Sequence, residues 1–516
     1  MTRVLQIGYS DWSQGVKFKN EVDWTFILNT ELADYYQEAL EENTLPPRPF
    51  SLVILTAPID GLLIDKLLPL MEAYTVLIDQ QFESYYTTPE FERLFSMKKA
   101  QFIEVKNIEE TVIELAKVFF DGNYGERRGV QDISVQANFS GNYQYLGNNY
   151  ILFQIEQTDQ MTPLLYWRHL IISNIDRYID IWLEFIKDET IDLNMTITFI
   201  RMGSSNQVVE RISYNNEAIK KRILLDPPEN CYASFSLCVK GSGQLRIGPL
   251  HVRHSRRKWG DYLAGGQIIA DNHREEFAFY YNPGNLKPPL NVYFSGYRTA
   301  EGFEGFPMMK NLKHPFILIN DLRLEGGAFY RGSAQFEAAI VAKIVEVLDE
   351  LNFTKDQLIL SGMSMGTFGA LYYGSFLDPY AIIMARPLVY LGNITRNQRL
   401  RRPNDSFKTA MDLTLKFGDN DDLATDLDIL DSMLMPKLKQ THYSQSTYAM
   451  TYMLNEDYDN EAYYGLLKNL SDKPIKIISK SVMGRHNDNT PTVASWFINQ
   501  YKRILWEDFE SKEGTE

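Results

Sequence analysis

Residues 357–371 read Gln-Leu-Ile-Leu-Ser-Gly-Met-Ser-Met-Gly-Thr-Phe-Gly-Ala-Leu: an apolar run, then Gly362-Met-Ser364-Met-Gly366, then a small-residue helix start. A serine on a sharp strand-to-helix turn sits in a strained backbone conformation. The residues two places either side must be small, or they strike the adjacent strand and helix. Gly362 and Gly366 meet that need. The helix that follows aims its positive end at Ser364, so the backbone N–H of Met365 is placed to stabilise an oxyanion. A Gly-x-Ser-x-Gly in a glycine-rich loop carries little information. One flanked by Leu-Ile-Leu and by Phe-Gly-Ala-Leu-Tyr-Tyr is specific, and it demands an α/β architecture.

The surrounding chain agrees. From about residue 256 onward, strand signals at Leu290–Phe294, Phe316–Asn320, Gln357–Ser361, Ala381–Arg386, Ala449–Leu454 and Ile475–Ser479 alternate with helical stretches such as Ala334–Leu351. That rhythm predicts a parallel sheet covered by helices, hence an α/β-hydrolase-like domain over 256–516. A polar helical insertion at about 391–445, with the acidic stretch 419–422 and the run Asp426–Leu438, reads as a cap over the site. The second oxyanion donor is expected after the third strand, in Val292-Tyr-Phe-Ser-Gly-Tyr-Arg298, where Gly296 and Tyr297 are candidates. Gly296 also suits an ordinary post-strand turn.

In this fold the chain order is serine, acid, histidine, so the base lies after residue 364, where only His442 and His486 occur. His486, in Met483-Gly-Arg-His-Asn487 between the last strand and a terminal helix over Thr492–Leu505, has the right place. His442 precedes its strand and reads as a surface residue. An imidazole near its ordinary pKa takes the serine proton and returns it to a leaving group at neutral pH. The acid follows the strand before it, where Asn455-Glu456-Asp457-Tyr458-Asp459 offers both Glu456 and Asp457.

The first half of the chain has a different rhythm. Residues 1–125 alternate short apolar runs (Val4–Gly8, Trp24–Leu28, Ser51–Ala57, Thr75–Asp79, Phe102–Val105) with helical stretches at 31–42 and 109–120, a small α/β domain. It lacks both the Gly-x-Gly-x-x-Gly turn and a Gly-Lys-Ser/Thr loop, so a docking or structural role is preferred over nucleotide binding. Residues 126–255 read as an antiparallel β-sandwich, with runs at Ile133–Ala137, Tyr150–Ile155, Leu165–Ile172, Ile181–Phe185 and Met195–Arg201. Its clearest hairpin is expected to turn at Gly241-Ser242-Gly243, between Cys231–Lys240 and Gln244–Val252. Tyr143, Tyr145, Trp167 and Tyr232 are candidates for a carbohydrate-binding surface, core packing being the default for any one of them.

Length and charge narrow the function. At 516 residues the chain exceeds one ordinary core, and 44% hydrophobic with 23% charged residues is a folded composition. A formal charge of −15 argues against nucleic acid as partner. The one basic cluster, His251-Val-Arg-His-Ser-Arg-Arg-Lys258, reads as a solvated interdomain linker. The start of the chain lacks a signal-peptide pattern, and no apolar run reaches the roughly 18 residues of a membrane span. The two cysteines, Cys231 and Cys238, fall on opposite faces of one strand, so a disulfide between them is not expected. The low count suits a reducing, cytoplasmic setting and leaves no zinc framework. Neither a metal nor a bound cofactor is expected.

The segments 360–374 (Leu-Ser-Gly-Met-Ser-Met-Gly-Thr-Phe-Gly-Ala-Leu-Tyr-Tyr-Gly), 292–298 and Gly484-Arg-His486 resemble, over nearly the whole chain, the second Asp component of the bacterial accessory Sec system. The resemblance implies O-acetylation of N-acetylglucosamine on serine-rich-repeat adhesins, in the cytoplasm or at the periphery of the export site. It also implies two companion Asp proteins and the accessory SecA motor as partners. It places the nucleophile on Ser364, the base on His486 and the acid on Glu456, with Asp457 the alternative, and it leaves the acetyl donor open. An esterase, or a non-catalytic assembly protein on the same fold, stand as the alternatives.

Overall fold

The computed structural model describes residues 2–41, 48–204, 206–402, 407, 409–418 and 422–511. Three sheets organise them. The first is a five-stranded parallel sheet with spatial order Val22–Leu28, Thr2–Gly8, Leu52–Thr56, Val76–Asp79, Gln101–Ile103. Its central strands are buried on both faces, which is why they read as continuous apolar runs. Of the helix expected over 31–42, Leu32–Glu41 forms and Glu42 lies outside the described residues.

The second sheet is antiparallel, and here the expected hairpin is corrected. Residues 241–243 do not reverse the chain. One strand, Cys231–Ser255, runs through them and pairs with an equally continuous strand, Tyr150–Trp167. Gly241 and Gly243 have φ of 105° and 129°, and a Cβ on Gly241 would lie 1.9 Å from the carbonyl oxygen of Thr190. The glycines thus bend the two-stranded ribbon instead of closing a turn. The first half of the long strand pairs with Asp192–Arg201 and the second half with Tyr178–Lys187, so the bent ribbon is common to both layers around one core. Cys231 faces that core and Cys238, seven residues on, is half-buried; both are free thiols. Trp167 is in the core, whereas Tyr143 and Tyr145 are exposed and Tyr232 is half-buried.

The third sheet carries the serine turn. Its strands are β1 (Gln267–Ala270), β2 (Glu276–Asn282), β3 (Leu290–Phe294), β4 (Phe316–Asp321), β5 (Leu358–Met363), β6 (Ala381–Ala385), β7 (Ser446–Met453) and β8 (Ile475–Val482), in spatial order 1-2-4-3-5-6-7-8. The pairs from β4 through β8 are parallel, while β1–β2 and β2–β4 are antiparallel. This is the α/β-hydrolase-like fold. The strands β1 and β2 have no counterpart in the sequence reading. Helix α1 (Ala334–Leu351) begins where the Ser333 side chain accepts the Phe336 N–H and ends at Asn352 in the left-handed region. Among the described residues between β6 and β7 lie four helices, Leu391–Arg401, Thr409–Phe417, Leu423–Asp431 and Met435–Gln440. Pro436 separates the last two, because a proline inside one helix would lose a hydrogen bond and clash with the preceding turn. Of the acidic stretch 419–422, Asp422 caps the third helix and residues 419–421 lie outside the described residues.

The basic cluster is also corrected, since it is no solvated linker. His251, Arg253 and Arg256 are buried at 0%, 3% and 4% exposure, although Arg257 and Lys258 face solvent. His251 bonds Glu184 through Nε2 at 2.8 Å and Glu301 through Nδ1; Arg253 donates to Glu301 at 2.7 Å and to Glu276 at 2.6 Å. Arg256 donates to the carbonyls of Val118, Phe120, Gly122 and Tyr262, tying the first domain to the junction. Charges taken out of water persist only when paired and hydrogen-bonded in this way. No helix among the described residues is long and apolar enough to cross a membrane.

The proton on His251 gives this junction a pH dependence. Burial opposes charge on the ring, but Glu301 and Glu184 outweigh it and raise the pKa from 6.5 to about 9. With the folded value above the unfolded one, the stabilisation is complete below pH 6.5 and is lost as pH rises through about 9. The thermal unfolding midpoint is therefore expected to fall between pH 7 and 9.5, and His251→Gln to flatten that limb. An unaltered slope in the variant contradicts the assignment.

Candidate active site

Ser364 stands between β5 and helix α2 (Met365–Leu377) at φ 51°, ψ −121°. Two glycines make this turn possible by close approach. A Cβ on Gly362 would lie 2.2 Å from the Gly366 carbonyl carbon, and one on Gly366 would lie 2.0 Å from the Phe294 oxygen of β3. The turn is tied down by Ser364 N–H to the Ala385 carbonyl at 2.8 Å and by Thr367 Oγ1 to the Ser364 carbonyl at 2.6 Å. The same Thr367 hydroxyl accepts the Leu388 N–H, which fixes the chain leaving β6.

Ser364, His486 and Glu456 come together in one hydrogen-bonded line. Ser364 Oγ lies 2.8 Å from His486 Nε2, and His486 Nδ1 lies 2.9 and 3.0 Å from the two carboxylate oxygens of Glu456. With an acceptor carboxylate on Nδ1, that nitrogen carries the proton and Nε2 is left to accept from the serine. The ring is 2% exposed. The neighbouring acid has a different place. Asp457 accepts the His486 backbone N–H at 2.9 Å and two bonds from the Arg485 guanidinium at 3.0 and 2.6 Å. It therefore anchors the histidine loop and does not touch the imidazole nitrogens. His442 is exposed, away from this line.

Several supporting residues carried no signal in the sequence. The Tyr458 ring lies 4.4 Å from the imidazole centroid at 34°, and the Arg402 guanidinium sits 3.8 Å from the centroid of that same Tyr458 ring while donating to the Asp457 carbonyl at 2.7 Å. Asp459 accepts the Val389 and Tyr390 N–H groups at 2.8 and 2.7 Å, pinning the chain after β6 to the loop that bears Glu456. Burial raises its pKa to about 7 against the pull of those N–H groups. Arg386 donates to the Asp488 carbonyl and to Thr490, closing the far side of the histidine loop.

The two sides of the expected oxyanion site differ. Met365 heads α2, where first-turn N–H groups have no intrahelical partner. The Gly296 N–H, in contrast, donates to Glu304 Oε2 at 2.7 Å, so that amide is held by a carboxylate and is not presented to the serine. This corrects the placement of Gly296. Tyr297 follows it, with its ring 5.0 Å from Phe407 of the insertion and its hydroxyl 3.3 Å from Glu325. Among the described residues no cluster of His, Cys, Asp or Glu has a metal-holding arrangement.

Comparison with known proteins matches this architecture over its whole length. The family model described as the accessory Sec system GspB-transporter matches residues 2–511. An accessory Sec system protein of Staphylococcus aureus (strain NCTC 8325 / PS 47) is 38% identical over 512 residues, 98% of this chain and 97% of the relative. Its counterpart in Streptococcus gordonii is 34% identical over 515 residues, covering 99% of each. A chain of the Glycosylation Associate Protein (Gap123) complex from Streptococcus agalactiae superposes with a TM-score of 0.88 at 35% identity, covering 98% of both chains. On these matches the chain belongs to the accessory Sec system GspB-transporter family.

Proposed function

We propose that this chain is a serine-dependent O-acetyltransferase that modifies N-acetylglucosamine on serine-rich-repeat adhesins and supports their export through the accessory Sec system. The observation that carries it is the line from Ser364 Oγ through His486 to Glu456, at 2.8 Å and 2.9 Å, on a strained elbow. In that mechanism His486 takes the Ser364 proton as the hydroxyl attacks an acetyl donor. Glu456 stabilises the imidazolium, and the oxyanion rests on the N–H groups of Met365 and Tyr297. Collapse of the tetrahedral intermediate expels the donor's leaving group with the proton from His486. A sugar hydroxyl, deprotonated by the same imidazole, then takes the acetyl group from Ser364. If water takes its place the reaction is ester hydrolysis, so an esterase shares every residue of this scheme.

Partners follow from kinship: a related chain occurs in the Gap123 complex, which supports two companion accessory secretory proteins here. The accessory SecA motor and the glycosylated adhesin complete the reading, with residence in the cytoplasm at the export site. The sandwich, with Tyr143 and Tyr145 exposed, supports a carbohydrate-facing role for that domain.

Two measurements test the chemistry. A fluorophosphonate probe is expected to label Ser364, as read by peptide mass spectrometry, and His486→Ala is expected to abolish labelling while leaving circular dichroism unchanged. Labelling independent of the histidine would sink the general-base assignment. With a chromogenic acetyl ester, Ser364→Ala and His486→Ala should each lower kcat by about 10⁴ or more, and Glu456→Gln by about 10²–10⁴. Asp457→Asn should act chiefly through stability. Wild-type turnover no greater than that of the variants leaves only the non-catalytic assembly role. Mass spectrometry of adhesin glycans, with and without Ser364, decides whether sugar is the acceptor.

A further inference from the structure

A cavity of about 480 Å³ lies beside the site at the C-terminal end of β7. Glu456 lines it while its carboxylate reaches His486, yet neither Ser364 nor His486 lines it. It is thus adjacent to the reacting centre and distinct from it. One wall is aromatic. Tyr452 and Tyr463 are stacked with centroids 3.6 Å apart at 9°, and Tyr464 meets Tyr463 edge-on at 5.3 Å. Tyr464 is 65% exposed, far more than a packing role needs. Arg401 and Asn455 line the same cavity, and among the described residues their side chains make no hydrogen bond.

The lining selects a ligand class. Among the described residues that line the cavity, Arg401 is the one cation against three carboxyl side chains, Glu456, Asp457 and Asp459, so phosphate-bearing ligands find no net attraction. The mixture of carboxylate, amide and guanidinium is too polar for an acyl chain. Exposed aromatic faces next to uncommitted donors and acceptors suit a neutral ring with apolar C–H faces and a rim of hydroxyls. The volume is within the range of small-molecule sites.

We infer that this cavity is a saccharide subsite, holding a sugar of the acceptor next to the one that receives the acyl group. The inference rests on the acceptor reading above, but binding tests it without any chemistry. The probe is the N-acetylglucosamine disaccharide, followed by saturation-transfer NMR and calorimetric titration on the full chain. The expected result is binding by wild type and by Ser364→Ala alike, with Kd raised about fivefold or more in Tyr464→Ala and in Asn455→Ala. Tyr464→Phe, which keeps the ring, should bind as wild type does. Circular dichroism and thermal unfolding confirm that each variant is folded.

Absence of transfer to the disaccharide in wild type overturns the subsite, as does binding indifferent to Tyr464. Loss confined to Tyr143→Ala places the sugar on the sandwich and overturns it too. Tyr464-dependent binding of an unglycosylated peptide makes the wall a peptide surface instead. If the disaccharide binds through Tyr464 while ester turnover is absent, the subsite stands and the acyl-transfer reading falls. Normal turnover with indifferent binding is the converse.

Discussion

The close approach of α2 to β3 is the constraint around which the catalytic half is arranged. A Cβ on residue 366 would lie 2.0 Å from the Phe294 carbonyl oxygen and one on residue 362 would lie 2.2 Å from the Gly366 carbonyl carbon, so both positions admit only glycine. The cost is a serine at φ 51°, a conformation that persists only where its surroundings over-determine it. Here they do: the Ser364 amide is bound to β6, its carbonyl to Thr367, and Thr367 in turn to the chain after β6. The strain places the hydroxyl clear of the sheet, where an imidazole from the far end of the chain reaches it.

A second constraint joins that half to the sandwich. Glu301 belongs to the segment after β3, the same segment that contains Gly296 and Tyr297. It is gripped by His251 and Arg253 of the long bent strand and by the Tyr262 hydroxyl at 2.7 Å. Glu301 N–H donates to the Gly125 carbonyl, and Asn123 bonds both the N–H and the carbonyl of Phe303. On the opposite side of the site, Asn148 of the sandwich donates twice to Asp412 of the helical insertion, at 2.9 and 3.1 Å. The sandwich therefore holds both the post-β3 loop and the insertion. An ion cluster with so little access to water rigidifies what it joins, since breaking one pair strands a buried charge.

The misreadings share a physical cause. Gly241-Ser242-Gly243 has the composition of a turn, and locally it is able to form one. Only the partner strand Tyr150–Trp167, far away in sequence, keeps the chain extended through it. The run from His251 to Lys258 has the composition of a solvated linker, but its acidic partners Glu184, Glu276 and Glu301 come from three other segments. Gly296 looked available because the carboxylate that takes its N–H, Glu304, is placed by a loop conformation and not by a periodicity. Charge runs and glycine pairs report local preference, and here non-local contacts decide.

What the sequence determined alone is whatever a short segment dictates by sterics. The elbow at Ser364, the apolar strands β3 to β8, the helix Ala334–Leu351 and the order serine, acid, histidine are of this kind, because each is written in consecutive residues or in their order. Glycine placement and apolar run length need no partner to be read. Local pattern left two acids open, the family resemblance favoured Glu456, and only the tertiary structure holds the physical reason that one of them meets the imidazole. Glu456 and Asp457 are adjacent, both are acidic, and one residue's difference in direction sends the first to His486 Nδ1 and the second to a backbone N–H and Arg485. Direction at the end of a strand is set by the loop's anchors, among them Asp459 and Arg402, which no local pattern encodes.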